Sequence, residues 1–318
     1  ALGGVNLATQ KMMHTYQDKL KTWYLECNDS GSHNAARWAL SQWNGQAPKI
    51  IETTSKPAEE RQWWHTPIGL SFVQISPGSQ YVAEQGKMIP FSIEQPYWIS
   101  DSEISAALFQ QFLDDDSYGG EKPGINIWSS VSDRTLKLNP ERPIEKLNHT
   151  DAVQFCNWLS TQLGLEPHYH ITKDESGNFK IVENSNGGVR LPTTLEWIFA
   201  CRAGTHTEFS FGDDANYLGE YAWYANNSNG QSQTIRSKRC NAWGLFDMHG
   251  NAMEYTTSPT SVGRGGRWDS YEGNCRSTYQ NKVNPMARER VGLRVVWEQP
   301  QQQPSRQQTS ADVKDKLP

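Results

Sequence analysis

The sequence predicts an α+β domain in which short helices and short strands are separated by much irregular backbone. Three observations carry this. Apolar stripes at helical spacing recur three times between residues 101 and 204, and from Phe72 onward β-like runs are broken repeatedly by Pro and Gly. The third is an aromatic-rich core: 13 Trp, 12 Tyr and 10 Phe in a chain of 318 residues that is only 36% hydrophobic. Aromatic side chains suit such a fold, because each buries a large area while Trp and Tyr keep a polar handle.

Taken in order, residues 1–65 read as a helical appendage and linker. Met13, Tyr16, Leu20 and Trp23 fall at helical spacing, Asn28-Asp29-Ser30-Gly31 ends that run, a short second helix covers Asn34 to Trp43, and residues 53–61 are linker. LSFVQISPGSQYV then reads as a hairpin or strand start. In ISDSEISAALFQQFLDDD, Asp101 or Ser102 is the expected N-cap and Glu103 sits in the first turn of a helix carrying Ile104, Leu108, Phe109 and Phe112. Residues 151–164 give a second helix, with Val153, Cys156, Leu159 and Leu163 on one stripe and Gly164 as its C-cap. LPTTLEWIFACRAG starts a third, capped by Thr193 or Thr194 with Glu196 in its first turn. Turns and short strands follow, ending in VGLRVVWE; residues 66–298 form the main domain, and 299–318 are too polar to bury a core and read as a disordered tail.

Several function classes are excluded by composition. A net charge of −5 argues against a nucleic-acid surface. No apolar run approaches the ~20 residues of a transmembrane helix. The five cysteines (Cys27, Cys156, Cys201, Cys240, Cys275) form no CxxC pair, so a zinc ribbon or thioredoxin-like motif is out. P-loops, GxGxxG after a strand, HExxH and nucleophile elbows are absent. His168 and His170 can share a strand face, a pattern that is more often a solvated pair than a metal site. A start at Ala1 is what removal of a secretion signal leaves, so a periplasmic or extracellular location is expected, with the cytoplasm as alternative.

GLFDMHGNAMEY, residues 244–255, fits neither a helical nor a strand period. It sets Asp247, His249, Asn251 and Glu254 among Phe246, Met248 and Tyr255, with a break at Gly250. Either this turn grips something positive or its acids cap backbone groups.

Four segments together resemble the formylglycine-generating enzyme, or sulfatase-modifying factor, family: RPIEKLNHTDAVQFCNWLSTQLGLEPHY (142–169), VRLPTTLEWIFACRAGT (189–205), NAWGLFDMHGNAMEY (241–255) and GRGGRWDSYEGNCRSTYQN…VGLRVV (263–296). They stand in the family's order and span residues 66 to 297. The resemblance implies an elaborated C-type-lectin-like fold. It also implies a structural Ca²⁺ at the 244–255 turn, held by the side chains of Asp247 and Glu254 and the carbonyls of Gly250 and Ala252, in keeping with a hard cation that takes roughly 6–8 oxygens. A second family calcium site would fall near Asn226, where the sequence is too poor in acids to carry it over.

Family enzymes oxidise a substrate cysteine at copper(I) held by two thiolates, which follow a GGSW-like stretch at the second and seventh positions after the aromatic. Here the stretch is Gly265-Gly266-Arg267-Trp268, and those positions hold Ser270 and Cys275. A hydroxyl is a poor ligand for soft copper(I). Copper is therefore not expected, Cys275 reads as framework (its role if the chain is an enzyme being catalytic), and no catalytic residue is assigned. A related iron branch uses HxxxHxE, which is also missing.

The leading expectation is a non-catalytic module that binds a protein or small molecule through Trp268, Asp269, Ser270, Tyr271, Glu272, Tyr279 and Asn281, a mixture of aromatic and polar residues suited to adaptable contact. Trp268 and Tyr279 have a competing reading as core aromatics. One form of this expectation is the variable protein of a diversity-generating retroelement; Ser270, Tyr271 and Asn274 fit adenine mutagenesis, whereas Glu272, Lys282 and Met286 do not. The alternative is a divergent oxidoreductase acting in siderophore or secondary-metabolite maturation, and a third is an accessory partner protein.

Overall fold

A computed structural model describes residues 7–44, 53–84, 87–125, 127, 139–184, 187–257 and 262–298. The expected tail at 299–318 lies outside them, as do the side chains before His14, Met13 among them.

The chain opens with α1 (Leu7–Glu26) and α2 (Ser30–Asn44). Asp29 Oδ1 accepts the N–H of Ser32 at 2.6 Å, so the stretch expected to end the first helix also caps the second. The expected α1 stripe is not the buried face: Tyr16 and Trp23 are 54% and 56% exposed, Leu20 is half-buried, and Tyr24 is the residue that packs inward. Tyr24 is selected by tertiary contact. The His33 ring stacks between Tyr24 and Trp63, with centroids at 4.7 and 3.9 Å, and its Nδ1–H donates to the Tyr24 carbonyl. α2 lies against the main domain. Ser30 Oγ donates to the Trp243 carbonyl (2.9 Å) and Asn34 Nδ2 to the Gly244 carbonyl (2.7 Å), while a Cβ on Gly31 would sit 2.2 Å from the Ala242 carbonyl oxygen.

Then come β1 (Trp63–His65), β2 (Ser71–Ile75), β3 (Gly78–Glu84), β4 (Lys87–Ile93), β5 (Tyr97–Ser100), α3 (Ala106–Asp114), α4 (His149–Gln162), β6 (Tyr169–Lys173), β7 (Phe179–Glu183), β8 (Val189–Arg190), α5 (Thr194–Arg202) and α6 (Leu218–Tyr221). After a long irregular stretch follow β9 (Met253–Thr256), β10 (Val262–Arg264), β11 (Gln280–Lys282), β12 (Val291–Gly292) and β13 (Val296–Trp297). The central sheet runs β1-β2-β5-β13-β8, so the C-terminal strand closes it from within: Val296 pairs with Ile99 on one side and Arg190 on the other. A second sheet runs β11-β10-β9-β12, and β3-β4 and β6-β7 are separate hairpins.

The helices follow their caps. Asn148 and Asp151 form a capping box on α4, and Thr193 and Glu196 form another on α5, where Thr193 was expected. α3 starts later than the sequence suggests. Its N-cap is Ser105, whose Oγ accepts the N–H of Leu108, whereas Asp101 and Glu103 are both fully buried and cap nothing. Phe109, Phe112, Phe155 and Trp158 bring α3 and α4 together in the larger core, and Trp197 on α5 anchors the second.

Candidate binding surface and the charge network beneath it

The turn at 244–255 lies over the ends of the central sheet. Asp247 and Asn251 have φ of 59° and 63°, left-handed values that Asx residues tolerate better than most. Asp247 Oδ2 accepts the Arg236 N–H at 2.7 Å, and Asn251 clamps Gln233 through both its N–H (2.7 Å) and its carbonyl (3.2 Å). Gly250 is needed for close approach, since a Cβ there would lie 2.3 Å from the Trp223 carbonyl oxygen.

Behind the turn is a charge network. Glu254 accepts the indole N–H of Trp197 at 2.6 Å and meets Arg294 at 2.9–3.1 Å through both oxygens. Arg294 spends its remaining donors on the carbonyls of Ser100 and Phe246, both at 2.7 Å. Asp101 pairs with Arg236 (Nε, 2.8 Å) and Arg37 of α2 (3.4 Å); although burial pushes its carboxyl up, the two guanidiniums outweigh this and hold it below the usual range. Glu103 accepts the Ala252 N–H at 3.0 Å, and burial, then the charges of Asp247 and Glu254, push it well above an ordinary carboxyl. Burial likewise raises Asp247, to about 6. Four carboxylates (Asp101, Glu103, Asp247, Glu254) thus lie among three arginines (Arg37, Arg236, Arg294), and burial with like charge favours the neutral form most at Glu103.

This arrangement bears on calcium. Glu254 is saturated by Arg294 and Trp197, so a cation there would meet a guanidinium at hydrogen-bonding distance from the same oxygens. Asp247 Oδ1, by contrast, is buried without a hydrogen-bond partner. Among the described residues no three of His, Cys, Asp and Glu converge in a metal-binding arrangement. At Glu254 the positive charge comes from the guanidinium of Arg294, which takes both carboxylate oxygens that the calcium expectation assigns to the ion. The melting temperature is accordingly expected to stay within about 1 °C between EDTA and millimolar Ca²⁺, where a bound ion at 100-fold its Kd would add ~2.7 kcal/mol. A large calcium-dependent rise would restore the metal.

The C-terminal loop carries the candidate surface. Gly265 and Gly266 have φ of 93° and 73°, and a Cβ on Gly266 would reach 2.8 Å from the Asn274 carbonyl oxygen. These glycines let the loop fold flat over the turn, where the Trp268 N–H donates to the Asn251 carbonyl (2.9 Å). Asp269, Ser270, Tyr271, Tyr279 and Asn281 come together, with Met253, Gly266, Arg267 and Asn274, around a cavity of ≈ 140 Å³. Trp268 and Glu272 are not in its lining. Trp268 instead supports the loop from behind: its indole N–H donates to Glu145 (3.1 Å) and Arg290 lies 5.1 Å over its ring. Asp269 is held by Arg267 and Arg290, while Tyr271 is free at 77% exposure.

Ser270 Oγ accepts the Arg267 N–H at 3.0 Å and so serves the loop's own turn. Cys275 is fully buried against Phe209, Leu218, Ala222 and Tyr224, and burial pushes its thiol up to about 12. All five cysteines are free.

A Sulfatase-modifying factor enzyme 1-like domain model matches residues 68–299, well over half of the chain. The chain belongs to this family. The chaperone protein LppX of Paenibacillus barcinonensis is 28% identical over 197 residues, covering 49% of this chain and 70% of that protein. The formylglycine-generating enzyme of Bos taurus is 23% identical over 173 residues, and the match spans 50% of this chain but only 36% of the bovine enzyme. Among solved structures, Treponema denticola variable protein 1 superposes with a TM-score of 0.61 at 22% identity, covering 77% of this chain and all of the other. That likeness shows the fold: the α+β, formylglycine-generating-enzyme-like architecture expected from the sequence. Within the sulfatase-modifying-factor domain, Glu103, Arg236 and Arg294 are the residues that sequence reasoning missed. No helix among the described residues is long and apolar enough to cross a membrane.

Proposed function

We propose that this chain is a binding member of the sulfatase-modifying-factor family, presenting the loop around Tyr271 to a protein partner, and that it does not oxidise cysteine. The observation that carries this is the state of the two copper positions. One is a hydroxyl engaged in its own turn, the other a fully buried thiol held protonated, and thiolates are what copper(I) requires. A loop braced by Trp268, Gly265 and Gly266 supports recognition, since rigid scaffolds displaying exposed loops are where binding usually lives. The similarity to a protein named as a chaperone supports a protein as the partner class.

The test is a pull-down with the full chain, followed by Tyr271→Ala and Asn281→Ala. Each is expected to shift folding stability by under ~0.5 kcal/mol, as exposed positions do, while loss of a central aromatic anchor costs binding ~2 kcal/mol or more. Lost stability with binding intact would put the working surface elsewhere.

A further inference from the structure

A second cavity, of ≈ 660 Å³, lies at the seam between the N-terminal helices and the family domain. Its helical wall includes Leu20 and the half-exposed Trp23; its domain wall includes Phe211 and Tyr221, whose rings stack at 4.5 Å. This volume falls within the roughly 300–1,000 Å³ typical of small-molecule sites, and the walls are mainly apolar. It is formed in part by residues outside the 68–299 match, so it is no part of the loop surface proposed above.

Ser210 lines this cavity. It sits at the tip of a tight turn closed by two bonds between Phe209 and Gly212 (3.1 and 3.2 Å), which turns its side chain onto His249. Ser210 Oγ is 3.0 Å from His249 Nε2. The other ring nitrogen, Nδ1, is 2.8 Å from the Cys275 carbonyl oxygen and must be the protonated one, because a carbonyl only accepts. Nε2 is therefore the lone-pair nitrogen, which also receives the Ser210 backbone N–H at 3.0 Å. A hydroxyl, a base within hydrogen-bond reach and a third group orienting that base make the constellation of an activated nucleophile. No G-x-S-x-G pattern surrounds Ser210, so no local motif points to it.

We propose that Ser210 and His249 form an acyl-transfer dyad that hydrolyses esters bearing an apolar or aromatic group held in this cavity. Ser210 Oγ bonds to the ester carbonyl carbon as its proton passes to His249 Nε2. Collapse of the adduct breaks the bond to the alcohol oxygen, which takes that proton. Water then repeats the sequence on the acyl-serine, releasing a carboxylic acid and restoring the hydroxyl. Because burial lowers His249 to about 4, making it a weak base, and because Nε2 is shared with a backbone N–H, the dyad is a slow one.

The full chain is treated with diisopropyl fluorophosphate and assayed with p-nitrophenyl butyrate. One phosphoryl adduct is expected, mapping to Ser210, and Ser210→Ala should lose both adduct and hydrolysis. A general base typically contributes 10²–10⁴-fold, so His249→Gln, whose amide can still bridge Cys275 and Ser210, should label at least about 100-fold more slowly. Ala39 also lines the cavity, so Ala39→Phe, which fills it and leaves the dyad intact, should slow labelling with the melting temperature unchanged. No adduct at Ser210, an adduct formed equally fast in folded His249→Gln, or one undiminished by Ala39→Phe overturns the proposal and leaves His249 a packed core histidine.

Discussion

Arg294→Met is expected to lower the melting temperature by on the order of 10 °C, more than any other single substitution proposed for this chain. Arg294 is fully buried and ties Glu254 to the carbonyls of Ser100 and Phe246, joining the central sheet to the 244–255 turn. Removing one partner of a buried pair typically costs ~3–5 kcal/mol because the other charge is left uncompensated. Each kcal/mol is worth roughly 2–4 °C in a domain of this size. Glu254→Gln should cost less, since the amide oxygen still accepts from Arg294 and Trp197. Replacing both partners with Met and Leu should recover part of the loss, which thermal melts of the two single variants and the double mutant would read directly. A mild effect of Arg294→Met would mean that the carboxylates balance one another through protons rather than through the guanidinium.

Gly31→Ala has the second largest expected effect, and it is local. The added carbon would lie 2.2 Å from the Ala242 carbonyl oxygen, a contact that backbone must move to relieve. Overpacking of this kind typically costs ~1–3 kcal/mol. Here it pushes α2 off the domain, breaking the Ser30 and Asn34 hydrogen bonds and opening the Tyr24–His33–Trp63 stack. Hydrogen exchange read by mass spectrometry should show faster exchange over residues 7–44 and little change in the central sheet. Uniform loss of protection across the chain would mean that the helices and the domain unfold as one unit.

Legibility in the sequence followed the range of the interactions involved. Helices α4 and α5 were readable because their signals are local: apolar spacing, a cap and an acid three residues on, as at Thr193 and Glu196. The buried face of α1 was not, because Tyr16, Leu20, Trp23 and Tyr24 offer more than one apolar stripe, and His33 and Trp63 decide among them. Asp101 or Ser102 reads as the N-cap and Glu103 as a first-turn acid, since such residues usually sit there before an apolar run. The actual partners of the two acids, Arg236, Arg37 and Ala252, stand up to 149 residues away. The candidate loop stood out in the sequence as an aromatic and polar mixture; only the structure brings Asp269, Ser270, Tyr271, Tyr279 and Asn281 together and puts Trp268 behind them. His249 was visible as an oddity in its turn, yet its neighbours Ser210 and Cys275 are 39 and 26 residues distant.

A peptide carrying Cys-x-Pro-x-Arg decides whether this chain binds rather than oxidises. The full chain is incubated with it, copper(I) and O₂, and the peptide is weighed by mass spectrometry. An unchanged peptide mass is expected, because Ser270 and the buried Cys275 leave copper without its thiolate pair. Catalytic loss of ~18 Da at the peptide cysteine, the change from CH₂–SH to an aldehyde, would contradict it outright.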